Sequence, residues 1–94
     1  MVEVKQTGSG DPLEFDVTVA EGRGETRHRV TMAKATYQKL TAGKVGAEQC
    51  VRAALAFLLE REPKESILSQ FDVAVISRYF PSFEREIGRY LEAR

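Results

Sequence analysis

The sequence predicts an α+β fold, in which an antiparallel β-hairpin is followed by three to four helices packed on one face of the sheet. Apolar and polar residues alternate from Leu13 to Val19 and again over Glu25–Met32, which is the two-residue period of strands with one buried face. Apolar residues then recur every three or four positions from Ala47 to Glu62, as in an amphipathic helix. No part of this pattern predicts a parallel sheet.

The first twelve residues allow two interpretations. Val2 and Val4 alternate with polar residues, so Met1 to Gln6 is either an edge strand or a frayed terminus. Thr7 to Pro12 contains two glycines and a proline, which predicts a turn. Residues 1–12 are therefore expected to be an edge strand and a turn, or to be partly disordered.

The turn of the hairpin sets the register of its strands. A two-residue loop at Gly22 and Arg23 places Asp16 opposite Arg29 on the outer face, an opposite-charge contact worth ~0.2 to 1 kcal/mol. The pairs that this register places on the core side are Leu13 with Met32, Phe15 with Val30, Val17 with His28 and Val19 with Thr26. A four-residue loop from Gly22 to Glu25 keeps the core side but loses the charge contact, so we rank it second.

Two helices are predicted directly after the hairpin. A short helix over Ala33 to Ala42 can start from Thr31 as its cap. The core helix follows from Ala47 to Glu62, with Gly46 as N-cap and a proline after its end. Its apolar residues cover more than a third of the circumference, so it needs more than one neighbour: Cys50, Val51, Ala53, Ala54, Leu55, Phe57, Leu58 and Leu59.

Prolines divide the C-terminal part into shorter segments. Lys64 to Gln70 predicts one or two helical turns. Asp72 can cap a helix that Pro81 stops, and Ser82 can cap a last helix over residues 83–94. Ile67 and Leu68 are expected to face inward. The apolar side of the next helix comprises Val75, Ile76, Tyr79 and Phe80, and that of the last helix comprises Phe83, Ile87, Tyr90 and Leu91.

The segment LLEREPKESIL, followed by FDVAVISRYFPSFEREI, resembles a group of small bacterial proteins without assigned activity. The resemblance covers most of the chain, including the hairpin and the lysine-rich first helix. It implies the same fold and assigns no functional residues.

Length and charge limit the classes of function. The 94 residues are enough for one domain, residues 1–94, and the 14 basic and 14 acidic side chains give a formal net charge of zero. No global field therefore steers the chain to nucleic acid or to an anionic membrane. No segment approaches the ~18 apolar residues of a membrane span, the N-terminus lacks signal-peptide features, and one cysteine excludes an internal disulfide. We expect a cytoplasmic protein.

No catalytic, cofactor or metal site is predicted. His28 is the only histidine and Cys50 the only cysteine, and they lie on different elements, so neither a metal-ligand set nor a nucleophile with its base can be assembled. We interpret His28 as a hydrogen-bonded histidine beneath the helices and Cys50 as a small buried apolar residue. The acidic residues of the helices are interpreted as solvated surface.

Two hypotheses of function follow. The leading one is a small non-enzymatic interaction or regulatory domain of unknown partner that self-associates as a homodimer, with an edge strand available for pairing. The candidate interaction surface is aromatic and comprises Phe57, Tyr79, Phe80 and Phe83. The alternative is a nucleic-acid-binding regulator that uses the basic hairpin face, with Arg23, Arg27, Arg29 and Lys34 as candidate contacts. Acidic residues on the same outer surface weaken this alternative.

Overall fold

Residues 1–92, which a computed structural model describes, form an α+β structure with a four-stranded mixed sheet and four α-helices. The strands are β1 (Val2–Gly8), β2 (Leu13–Ala20), β3 (Glu25–Met32) and β4 (Gln70–Asp72). The helices are α1 (Lys34–Thr41), α2 (Ala47–Leu59), α3 (Ile76–Tyr79) and α4 (Phe83–Glu92), and short 3₁₀ turns lie at Lys64–Ser66 and Val73–Val75. None of these helices has the length and apolar character needed to cross a membrane.

The predicted hairpin register is confirmed. β2 and β3 pair antiparallel, with Val17 opposite His28 on the core side and Asp16 opposite Arg29 on the outer side. The loop is longer than predicted, because the last pair is Ala20 with Glu25 and four residues connect them. Glycines at positions 22 and 24 have φ angles of 64° and 72°, a left-handed backbone that other residues adopt only at a cost.

The first segment is an edge strand, which settles the two interpretations of the N-terminus. β1 pairs antiparallel with β2 and extends to Gly8, beyond the predicted end at Gln6. Helix α2 covers its free edge: Glu48 accepts a hydrogen bond from the backbone N–H of Gln6 at 2.8 Å, and Arg52 donates to the carbonyl of Val2 at 3.4 Å. Because an open edge invites pairing with another chain, these two side chains protect β1.

Strand β4 is the main departure from the prediction. It pairs parallel with β3, so the expectation of a purely antiparallel sheet is wrong. The hydroxyl of Thr31 donates to the carboxylate of Asp72 at 2.7 Å, and Phe71 lies in the core. Only Lys64–Ser66 of the helical turns predicted over Lys64 to Gln70 is helical.

The first helix starts differently from the prediction. Its N-cap is Ala33, whereas the predicted cap Thr31 belongs to β3. The backbone N–H of Lys34 instead donates to the carboxylate of Asp11 at 3.1 Å, so a residue distant in sequence caps the helix. The helix ends at Ala42, which has a left-handed backbone with φ 54°.

The core helix is confirmed as a buried amphipathic helix. Helix α2 starts after the predicted N-cap Gly46 and ends at Leu59, three residues before the predicted end at Glu62. Seven of its residues are buried: Cys50, Val51, Ala53, Ala54, Leu55, Phe57 and Leu58. They form one apolar cluster with the inward face of the sheet and with the buried side of α4. Charged side chains such as Lys5 and Asp16 occupy the opposite, exposed face of the sheet.

Asp72 caps a 3₁₀ turn over Val73–Val75 and not α3 itself, whereas α4 starts directly after the predicted cap Ser82. Asp72 accepts a hydrogen bond from the backbone N–H of Ala74 at 2.9 Å, and α3 ends just before Phe80 and Pro81. Helix α3 is only four residues long, because a 3₁₀ turn takes up the first part of the predicted helix. The predicted end of the last helix, residues 93–94, lies outside the described residues.

Candidate functional site

An apolar groove of about 220 Å³ lies between the end of α2, the segment that leads into β4, and α3. Its apolar lining includes Leu58, Ile67, Phe71, Val75, Ile76 and Phe80. Glu62 and Ser66 supply polar groups, and Leu68 and Tyr79 complete the lining. A concave apolar surface with a few polar groups is typical of a binding site.

Two large apolar side chains of this groove are exposed. Leu68 is 51% exposed and Tyr79 is 66% exposed, so the prediction that Leu68 faces inward is wrong. The backbone of Leu68 is held in place, since its carbonyl accepts a hydrogen bond from His28 Nδ1 at 2.8 Å. A single exposed apolar side chain is ordinary, whereas two that line one apolar groove make this groove the candidate interaction surface.

The predicted aromatic surface divides into two pairs. Phe57 and Phe83 are 0% and 1% exposed, with ring centroids 5.0 Å apart in an edge-to-face contact. They belong to the core, and the prediction that they contact a partner is wrong, because the helices cover both rings. Tyr79 and Phe80 do line the groove. Leu68 is the residue that sequence reasoning missed as a surface group, and no periodicity in its segment pointed to it.

Two charged residues of the groove region make no ion pair with another residue of the described range 1–92. Glu62 is half-buried in the lining, and Arg78 is exposed on α3 beside Tyr79. Within residues 1–92, neither side chain takes part in an ion pair. Within the described residues, the groove lining therefore has one carboxylate outside any ion pair, and the neighbouring helix α3 has one such guanidinium.

A polar network around Arg61 joins α2 to α4. The guanidinium of Arg61 lies 3.6 Å from the ring centroid of Phe57 and 2.9 Å from a carboxylate oxygen of Glu86. The hydroxyl of Tyr90 donates to Glu60 at 2.7 Å and accepts from Arg61 at 3.3 Å. Since each of these groups is paired within the chain, we assign the network to helix packing.

The candidate nucleic-acid contacts are distributed over three elements: Arg23 in the hairpin loop, Arg27 and Arg29 on β3, and Lys34 at the start of α1. Each arginine of the strand has an acidic neighbour. Arg27 lies 3.4 Å from Glu25, and Arg29 lies 3.5 Å from Asp16. Because these acidic groups alternate with the basic ones, they offset the positive potential that phosphates require. Nucleic-acid binding stays a prediction.

His28 lies in the core, 4% exposed. Its Nδ1 donates to the Leu68 carbonyl, which can only accept, and its Nε2 is hydrogen-bonded to the hydroxyl of Thr26 at 2.8 Å. Both ring nitrogens are thus used, which confirms the interpretation of a hydrogen-bonded histidine. No group of three or more histidine, cysteine or acidic residues in the described part of the chain is arranged to hold a metal ion.

Cys50 is fully buried, with its Sγ 3.7 Å from the sulfur of Met32. Burial raises the pKa of this thiol to about 11, so the reactive thiolate is scarce near neutral pH. We expect a thiol reagent to label the native protein at least ~10-fold more slowly than the protein in denaturant. Mass spectrometry measures the labelling rate. Equal rates in the native and the denatured protein would show that the thiol is accessible in the native fold.

Comparisons with protein-family models, with characterised proteins and with solved structures gave no match. The resemblance to small bacterial proteins therefore stays a prediction. Function has to be inferred from the geometry of the groove.

Proposed function

We propose that the protein is a small non-enzymatic interaction domain that forms a homodimer through the apolar groove. The observation that supports this proposal is the exposure of Leu68 and Tyr79 beside an apolar concavity. Burying a leucine-sized side chain that was exposed stabilises an assembly by about 1.5 to 3 kcal/mol. Each copy carries two such side chains, and their burial supplies a substantial driving force for association.

A second copy of the chain suits this surface because the surface combines exposed side chains with a recess. A two-fold interface uses the same patch on both subunits, so that patch needs both protruding and recessed parts. The exposed side chains of Leu68 and Tyr79 are the protruding parts, and the groove is the recess. The formal net charge of zero removes the general repulsion between identical chains.

The size of the patch indicates a weak dimer. A standard stable interface covers about 800 Å² on each partner, which is roughly one seventh of the 5709 Å² surface of this protein. Within the described part of the chain, the groove has ten lining residues, fewer than the roughly 20 to 30 residues a side of such an interface. We therefore expect a dissociation constant on the order of micromolar or weaker.

Sedimentation velocity over a concentration series tests the proposal. The wild type should shift from monomer to dimer between about 10 μM and 1 mM, and Leu68→Ser or Tyr79→Ser should each raise the dissociation constant by roughly tenfold. Arg85→Ser, at an exposed position of α4 away from the groove lining, serves as the control and should associate like the wild type. A wild type that stays monomeric throughout the series, or groove variants that associate as well as the control, would refute the proposal.

A further inference from the structure

The unpaired charges at the groove support an inference that rests on the proposed self-association. Glu62 lines the groove and is half-buried, and within residues 1–92 no cation pairs with its carboxylate. No oxygen of its carboxylate is buried without a hydrogen-bond partner, so the carboxylate is open to solvent and to a cation that an occupant brings. The groove therefore presents a negative group to an occupant.

The cations nearest to Glu62 in sequence are already engaged inside the chain. Arg61 contacts Glu86 and the ring of Phe57. Lys64 donates to two carbonyls of the hairpin loop and pairs with Glu65. Among residues 1–92 these two neighbours are therefore not available to Glu62, and a second molecule can supply the cation.

Arg78 has the complementary property. It lies on α3 directly before the groove residue Tyr79 and one turn after Val75, another lining residue. It is exposed and makes no ion pair with the rest of residues 1–92. A guanidinium can bind a carboxylate through two parallel hydrogen bonds, which fixes direction as well as distance.

We propose that, in the homodimer, Glu62 of each copy pairs with Arg78 of the partner subunit. In a two-fold interface every contact occurs twice. Glu62 of one copy meets Arg78 of the other, and the reverse contact is also made, so the dimer contains this ion pair twice. Charge pairs across an interface set the orientation of the subunits and exclude wrong partners. The two reciprocal pairs therefore determine how the two grooves face each other.

Charge reversal tests the pair. In Glu62→Arg alone, or in Arg78→Glu alone, both contacts of the homodimer become like-charged, so the dissociation constant should rise at least roughly tenfold. An equimolar mixture of the two variants should form a heterodimer, because each contact then joins opposite charges. The double variant Glu62→Arg with Arg78→Glu should again form a homodimer for the same reason.

Matched controls separate the pair from a change in net charge. Glu3→Arg on the exposed face of the sheet and Arg85→Glu on α4 make the same charge changes away from the groove lining and should leave association unchanged. Thermal unfolding of every variant checks that the fold is intact. The expected result is that each single variant associates weakly, and that both the mixture and the double variant recover association.

Two outcomes overturn the inference, and they have different causes. If the wild type dimerises and the single variants associate like their controls, or the mixture fails to recover, the ion pair is wrong while association through the groove stands. If the wild type stays monomeric throughout the concentration series, the proposed function fails and the pair falls with it.

Discussion

Phe57→Ala is expected to lower the free energy of unfolding by about 3 to 5 kcal/mol. Phe57 is fully buried, and its ring makes edge-to-face contacts with Phe80, Phe83 and Tyr90 at centroid distances of 5.9, 5.0 and 5.7 Å. Truncation removes these contacts and leaves a cavity between α2, α3 and α4. Since a small domain has about 5 to 15 kcal/mol of stability in total, the variant should be near its unfolding threshold.

Urea unfolding measures this effect against a control on the same helix. Arg52 is exposed, and its contact with the Val2 carbonyl is long at 3.4 Å, so Arg52→Ala should cost about 0.5 kcal/mol or less. Similar small losses in both variants would mean that α2 is not buried as described.

Lys64→Met is expected to cost about 2 to 3 kcal/mol. The side chain of Lys64 is 8% exposed, and its Nζ donates to the carbonyls of Glu21 and Arg23 at 2.7 and 3.1 Å. These bonds fasten the segment after α2 to the hairpin loop. Methionine keeps the apolar stem but removes the charged donor, so the two loop carbonyls lose their partner.

A second readout distinguishes this role from a general packing effect. The hydrogen bond from Lys64 lowers the pKa of the Glu65 carboxyl, so that pKa should rise toward its ordinary value in Lys64→Met. Lys39→Met is the control, since Lys39 is exposed and pairs with Glu84 at 3.0 Å, a surface contact worth about 1 kcal/mol or less. Equal stability losses at positions 64 and 39, with an unchanged Glu65 pKa, would contradict the assigned role.

Local sequence patterns were sufficient to predict the hairpin and the core helix. The alternation around Phe15 and Val17 determines which side of β2 is buried. Two registers of the hairpin bury that side, and the opposite charges of Asp16 and Arg29 favour the one that the structure shows. Helical spacing and the N-cap Gly46 locate the start of α2 in the same way. Each of these signals lies within one element or one turn.

Contacts between distant residues explain what the sequence did not reveal. β4 has only three residues, too few to show a period, and it is held by bonds that join it to β3 across the fold: Thr31 to Asp72, and the N–H of Arg29 to the carbonyl of Ser69. The burial of Lys64 has the same kind of cause, because the loop carbonyls that accept hydrogen bonds from its Nζ lie more than forty residues earlier in the chain. A sequence pattern does not show such pairings.

The candidate site was predicted only in part for a related reason. Apolar spacing indicates which side of a helix is apolar, but not whether that side meets another element or solvent. Phe57 and Phe83 are covered by neighbouring helices, whereas Tyr79 stands at the end of a four-residue helix that covers less surface. Leu68 is exposed because its segment turns into β4, a strand that the sequence did not predict.

Amide spectra recorded during dilution, from about 1 mM to 20 μM, test the central claim of association through the groove most directly. The account predicts concentration-dependent shifts centred on Glu62, Leu68, Arg78 and Tyr79. Resonances on the exposed face of the sheet, such as that of Lys5, should stay constant. Spectra that do not change with concentration, or changes centred on β1 or on the exposed face of the sheet, would contradict it.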